Sequence, residues 1–236
     1  MTVPRKPKLL IVTNVPSMMR EFLLPFAKHF SGLGWQVDAM MSAATTSADT
    51  CAECPEVFQA IWTVNWSRNP LAPRNFLSAP KAIHEIITRE TYDIVHVHSP
   101  VAAFVTRLAL RNMRKRPKVI YTAHGFHFHR GGTPWKNRIF LTLEKLAGPW
   151  TDHLVVINRE DETATKQHKI VPSERLSYMP GIGVDMSRYD PARVTEQDVL
   201  RVRQELGLKP TEQFILMIAE FNPCKRHRDA LQAFAD

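Results

Sequence analysis

The chain has only three cysteines in 236 residues, Cys51, Cys54 and Cys224, an odd and small number that excludes a disulfide framework. Cys51-Ala-Glu-Cys54 has the spacing of half a zinc site or of a redox pair. No second pair follows, and the segment is not a strand-to-helix junction, so a structural or incidental role is the plainer reading. Long hydrophobic runs are also missing. No apolar window approaches the roughly 18 residues that cross a bilayer. The run Leu9–Val12 behind the basic amino terminus is cut by Thr13 and Asn14, too soon for the core of a secretory leader. These absences point to a reducing cytoplasm. Acidic residues are outnumbered, 23 against 31 basic, for a net charge of +8. That balance suits anionic partners: nucleic acid, phosphorylated small molecules or an acidic membrane surface. No G-x-G-x-x-G follows the first apolar run, which argues against a nicotinamide dinucleotide site. No helix-turn-helix or glycine-aromatic sheet motif interleaves the basic residues, so no nucleic-acid partner is expected. The rest of the composition, 44% apolar and 23% charged, is that of an ordinary globular protein of one large or two modest domains.

What is present is alternation. Short apolar runs at 8–13, 35–41, 58–64, 92–98, 118–124, 152–157 and 175–180 read as buried strands. Between them, 17–33 (with a kink at Pro25), 79–90, 100–113, 134–148 and 158–168 read as helices. Strand-helix repetition of this kind predicts an α/β, doubly wound parallel sheet with its ligand cleft beyond the carboxyl ends of the strands. After 181–191 the pattern changes: a charged helix at 195–206, an apolar strand at 214–221 and a helix at 225–235. These resemble the opening of a second, incomplete αβ unit.

The layout gives meaning to the segment Thr122-Ala-His-Gly-Phe-His-Phe-His-Arg-Gly131. His96, His98 and His124 end two of the expected strands and therefore sit at the ligand edge. His127 and His129 follow in the loop. A metal reading would need convergent ligands, and no acidic residue or cysteine lies in the segment; no metal is expected. For His96 and His127, satisfied core or loop histidines are the simpler reading. His124 stands apart because Gly125 behind it permits close backbone approach to a ligand. A histidine there can titrate near neutral pH, accept a hydroxyl proton, or donate to a phosphate.

Four stretches together, "DIVHVHSP" at 93–100, "TAHGFHF" at 122–128, "PGIGVD" at 180–185 and "EFNPCKRHRDALQAFA" at 220–235, resemble glycosyltransferase family 4, and within it the capsular and exopolysaccharide branch. The resemblance implies a GT-B fold, in which two Rossmann-like domains face each other across a cleft. Residues 1–192 would be the acceptor-binding domain. Residues 193–236 would be the linker helix and first strand and helix of the nucleotide-sugar-binding domain. By position, His124 matches the histidine near the transferred sugar. Asn14 to Ser17 match the loop facing acceptor and donor phosphates, and Lys225 matches the lysine that neutralises the donor diphosphate. His98, Gly125 and Arg130 fall with the acceptor-side cleft residues. The resemblance further implies a UDP- or GDP-sugar donor, no required cofactor, a glycan or polyprenyl-linked acceptor, and retention of configuration. Three features depart from the family: the first loop lacks a Gly-Gly pair, Glu220 stands where an arginine is usual, and the paired-glutamate motif is absent. The 236 residues alone are therefore expected to be inactive in transfer.

A cytoplasmic protein peripheral to the inner face of the membrane would meet such an acceptor. Six basic residues in the twelve at 107–118, with Arg107, Arg111 and Arg114 near one helical face, fit an anionic membrane surface, and equally a solvated basic face. The stretch 62–76 adds two tryptophans among arginines, as interfacial segments do. A non-catalytic glycan- or lipid-binding module, or one half of a split enzyme, is the alternative on the same residues, and a nucleic-acid-binding protein, suggested by the charge alone, is the less favoured one.

Overall fold

A computed structural model of the chain describes residues 5–44, 57–209 and 211–235. Cys51 and Cys54 lie outside them. The expected doubly wound arrangement is the observed one. Strands β1 (Lys8–Val12), β2 (Gln36–Ser42), β3 (Ile61–Val64), β4 (Ile94–His98), β5 (Lys118–Ala123), β6 (His153–Val156) and β7 (Leu176–Tyr178) form a single sheet. The order is β3-β2-β1-β4-β5-β6-β7, and every pairing is parallel. The order reverses between β1 and β4, which makes the crevice above them the topological switch point.

Strand β1 shows why the apolar run is continuous. Successive side chains point to opposite faces, and both faces are covered. Leu9 and Ile11 pack with Met19, Leu23, Ala27 and Met41 on one side. Leu10 and Val12 pack with Ile83, Ile87, Val101 and Phe104 on the other. The first covering segment is a composite: a turn of helix α1 (Pro16–Met18), a π-helical stretch Met19–Leu23, and α2 (Leu24–Gly32). The Leu24 N–H reaches back to the Met19 carbonyl. Pro25, which has no N–H to donate, starts the next helix, so the expected kink is spread over a π turn. Helices α3 (Ser78–Glu90), α4 (Pro100–Leu110), α5 (Pro134–Ala147) and α6 (Arg159–His168) complete the crossovers.

Two expectations about surface residues are corrected. Arg107 is not on a basic face: it is 1% exposed. Its guanidinium pairs with Glu144 at 2.8 Å, donates to Thr151 Oγ1 at 3.1 Å, and lies over the Tyr121 ring. An uncompensated charge could not be held there, and Glu144 supplies the compensation. Arg116 is likewise occupied, by Asp152 and the Trp150 carbonyl. The tryptophans of 62–76 are not interfacial either. Trp66 is buried and donates to Asn14 Oδ1 at 2.8 Å. Trp62 donates to the Tyr92 hydroxyl at 2.9 Å, with Arg89 over its ring.

The chain divides into two compact units, meeting at Gly183 and Val184, whereas the sequence suggested a boundary after 192. In the second unit α7 (Glu196–Glu205) opens with a reciprocal capping box between Thr195 and Asp198. The helix α8 (His227–Ala235) closes it. The expected strand at 214–221 does not form: the segment joins no ladder, and Ile215, Ile218 and Phe221 are 79%, 86% and 93% exposed. A parallel strand takes its hydrogen bonds from neighbours and its burial from flanking helices, and among the described residues of this unit no strand pairs with it.

Candidate functional site

The switch-point edge brings the first loop against the end of β4. Thr13 Oγ1 lies 3.4 Å from Ser99 Oγ, and both hydroxyls contact the Met18 sulfur. Ser99 itself is held at φ 68° immediately before Pro100, the first residue of α4. A non-glycine residue in that region is strained by about 1–3 kcal/mol, a cost that clusters at functional edges. Asn14 follows Thr13, half-buried, with its carbonyl oxygen engaged by Trp66. Ser17 is exposed on the first turn of α1.

Next to this loop, β4 and β5 stack their terminal histidines. Register pairs His98 with Thr122, so His124, two residues on, leaves the sheet beside it. His98 Nδ1 lies 2.9 Å from His124 Nε2. His96 packs behind, 4.2 Å from His98 between ring centroids, with its Nε2 at 2.8 Å from Thr122 Oγ1. Loss of water holds the His96 pKa down to about 4. Burial first, then the neighbouring imidazoles, pushes His98 well below the usual histidine range, and desolvation also lowers His124. All three are neutral at pH 7. The expectation that His124 titrates near neutrality is thus revised downward: it presents an uncharged imidazole. Gly125 adopts φ +115°, which lets the chain turn sharply away behind His124.

The loop after His124 is pinned from below. The Phe126 N–H donates to Asp161 Oδ2 at 3.0 Å, and Asp161 is tied to the helix cap Asn158 through its own N–H at 2.8 Å. Burial raises the Asp161 pKa, opposed by the Phe126 N–H and by the Asn158 Nδ2–H, which donates to the same carboxylate oxygen at 3.0 Å. Phe126 and Phe128 stack at 4.8 Å and turn inward, so the alternate residues His127 and His129 turn outward. Arg130 is exposed, with its N–H on Glu160. It borders an open groove of about 990 Å³ between α5 and α6, with Phe128, Arg138, Arg159 and His168. Lys225 belongs to the second unit, exposed in a short turn where its own N–H donates to the capping Asn222 Oδ1 at 3.2 Å. The structure thus joins His98 directly to His124, sets Asn14 in the neighbouring loop, and places Arg130 on the flank. Ser99 and Asp161 were not singled out in the sequence. The Ser-Pro step before a helix and the Asn158-x-x-Asp161 cap were the available signals.

A parallel sheet whose crevice at the switch point is lined by neutral imidazoles, hydroxyls and an amide defines a ligand-handling α/β domain, with groups suited to polyhydroxy or phosphorylated ligands. The chain belongs to Glycosyltransferase Family 4, whose model matches residues 21–188. It is 33% identical to "Putative glycosyltransferase EpsD" of Bacillus subtilis (strain 168) over 97% of this chain and 57% of that protein. It is 28% identical to the UDP-Gal:alpha-D-GlcNAc-diphosphoundecaprenol alpha-1,3-galactosyltransferase of Escherichia coli over 61% of this chain and 36% of that one. Among solved structures, a glycosyltransferase from Rickettsia africae ESF-5 superposes with a TM-score of 0.66 at 20% identity, covering 93% of this chain and 54% of its own. Sucrose-phosphate synthase from Thermosynechococcus elongatus gives a TM-score of 0.71 at 12% identity, covering 98% and 60%. The chain therefore spans a little over half the length of the first of these relatives.

Proposed function

We propose that this chain supplies the acceptor-side wall of a glycosyltransferase that moves a sugar from a nucleotide donor to a lipid-linked glycan in surface polysaccharide synthesis. The observation that carries the reading is the His98–His124 pair, neutral and half-enclosed beside the first loop at the switch point. A neutral imidazole suits a sugar hydroxyl, and Asn14, Ser17 and Gly125 would border the same acceptor. The Escherichia coli relative's name specifies a UDP-sugar and a diphosphoundecaprenol acceptor, and a UDP- or GDP-sugar with a polyprenyl-linked acceptor is the pair we assign here. Lys225, in the part that would begin the donor domain (193–236), would meet the donor diphosphate, where a compact cation stabilises the leaving group. The first unit forms one wall only, so these 236 residues alone are proposed to turn over no nucleotide sugar.

A capsular or exopolysaccharide role would place the protein on the inner face of the membrane. No helix among the described residues is long and apolar enough to cross a bilayer. The basic residues left exposed by the fold, Arg111, Arg114 and Lys115 before β5 and Lys118 at its first position, sit at the sheet edge opposite the histidines. A strand of six residues separates the two edges by roughly 20 Å. These cations follow the carboxyl terminus of α4, where positive charge is favoured in any case. The loop after β3 is better placed for lipid, with Leu71, Phe76 and Leu77 exposed beside Arg68 and Arg74.

The test is transfer of label from radioactive UDP- and GDP-sugars to polyprenyl diphosphate-linked sugars in anionic vesicles, by a protein carrying both halves. Replacing His124 or Lys225 by Ala should lower kcat on the order of 100-fold or more. A double variant with Asp at Leu71 and Leu77 should release the protein from vesicles while sparing its fold. Absence of labelled lipid with every donor, or full activity without His124, sinks the reading.

A further inference from the structure

We infer that His98 is a positioning residue that fixes the tautomer of His124: the His98 Nδ1–H donates to His124 Nε2, so that the single His124 proton is confined to Nδ1. The chain then offers its ligand a hydrogen-bond donor at that imidazole and not a base. The inference rests on the proposed function only for what the ligand is; the tautomer follows from the protein alone.

The two ring nitrogens are 2.9 Å apart, so one proton lies between them. Both rings are held neutral, which leaves two arrangements. If His124 supplied the shared proton, the proton of His98 would sit on its other nitrogen, Nε2. That atom is buried and has no hydrogen-bond partner among the described residues. His96, whose ring lies tilted against His98, makes no hydrogen bond to it and has its own Nε2 paired with Thr122 Oγ1. A buried N–H without a partner is costly, and such orphans are rarer in native proteins than under-used acceptors. If His98 supplies the proton instead, its Nε2 carries only a lone pair, the lesser loss. The second arrangement is favoured by roughly tenfold or more.

The consequence falls on His124. Its Nε2 is occupied as an acceptor, and its Nδ1 carries the proton. A sugar hydroxyl or phosphate oxygen arriving at Nδ1 would find a neutral N–H. To act as a base, His124 would first have to break from His98. His98 touches no ligand itself in this scheme: it is 2% exposed.

Long-range proton–nitrogen correlation spectra of the uniformly 15N-labelled 236-residue chain at pH 7.5 read the tautomer of each ring directly. In the wild type, His124 should show a protonated Nδ1 and an unprotonated Nε2. In His98→Leu, the donor is gone and the His124 proton should return to Nε2, the site preferred by free imidazole side chains. A wild-type His124 protonated at Nε2 overturns the inference, and this spectrum decides the matter if the His98→Leu protein does not fold. Retention of the Nδ1 proton in folded His98→Leu overturns it as well. The spectra use no substrate, so failure of sugar transfer would refute the proposed function and leave the tautomer assignment standing.

Discussion

Lowering the pH from 7 to 5 should destabilise this protein through the imidazoles under its candidate site, and His96 allows the size to be worked out. In the fold its pKa is held to about 4, because the ring has lost its water and faces His124. In the unfolded chain it returns to about 6.5. A depressed histidine pKa means that the unfolded chain binds more protons as acid is added. Stability is therefore full above about pH 6.5 and is lost as the pH falls toward 4. With these two values, His96 alone removes about 2 kcal/mol between pH 7 and pH 5, and about 3 kcal/mol by pH 4. His98, pushed well down by burial and by the neighbouring imidazoles, adds in the same direction. Urea unfolding of wild type and His96→Asn at pH 7 and pH 5 isolates the term. Asn can still meet Thr122 but does not titrate. The wild type should lose about 2 kcal/mol more than the variant across this range. Equal losses in the two proteins would refute the claim that His96 is kept neutral by the fold.

Removing one partner of the buried Arg107–Glu144 pair, as in Arg107→Met, should cost about 3–5 kcal/mol in chemical denaturation. The double variant Arg107→Met/Glu144→Leu should recover most of that loss, since no charge is left stranded. Gly148→Ala should lower soluble yield and the thermal midpoint, because a Cβ there would meet the Ile170 carbonyl oxygen at 1.9 Å and only backbone movement could relieve it. Asp161→Ala should free the Phe126 amide, cost about 1–3 kcal/mol, and speed hydrogen exchange at that amide more than in β5.

Much of the architecture was legible because a strand buried on both faces is apolar over most of its length. Residues 8–13, 92–98, 118–124 and 152–157 are such runs, and each contains a strand of the sheet. Placing His96, His98 and His124 on one edge needed only that all strands run the same way. The basic run at 107–118 misled because charge in a sequence does not say whether a counter-charge waits inside. Arg107 is answered by Glu144, on a different helix. The tryptophans misled similarly: amphipathic rings suit interfaces, but Trp66 found an internal acceptor in Asn14. At 214–221 apolar patterning was a correct statement of propensity, and propensity without neighbouring strands makes no ladder.

The sequence by itself determined the fold class, the edge that carries the histidines and the family, since periodicity, chain alternation and local motifs are properties of neighbouring residues. Only the tertiary structure decided that His98 grips His124, that His96 is kept neutral, that Asp161 anchors the loop and that Arg107 is internal. Each of those depends on a partner that folding alone brings within hydrogen-bonding distance. The strength of each depends on how much water folding removes around it.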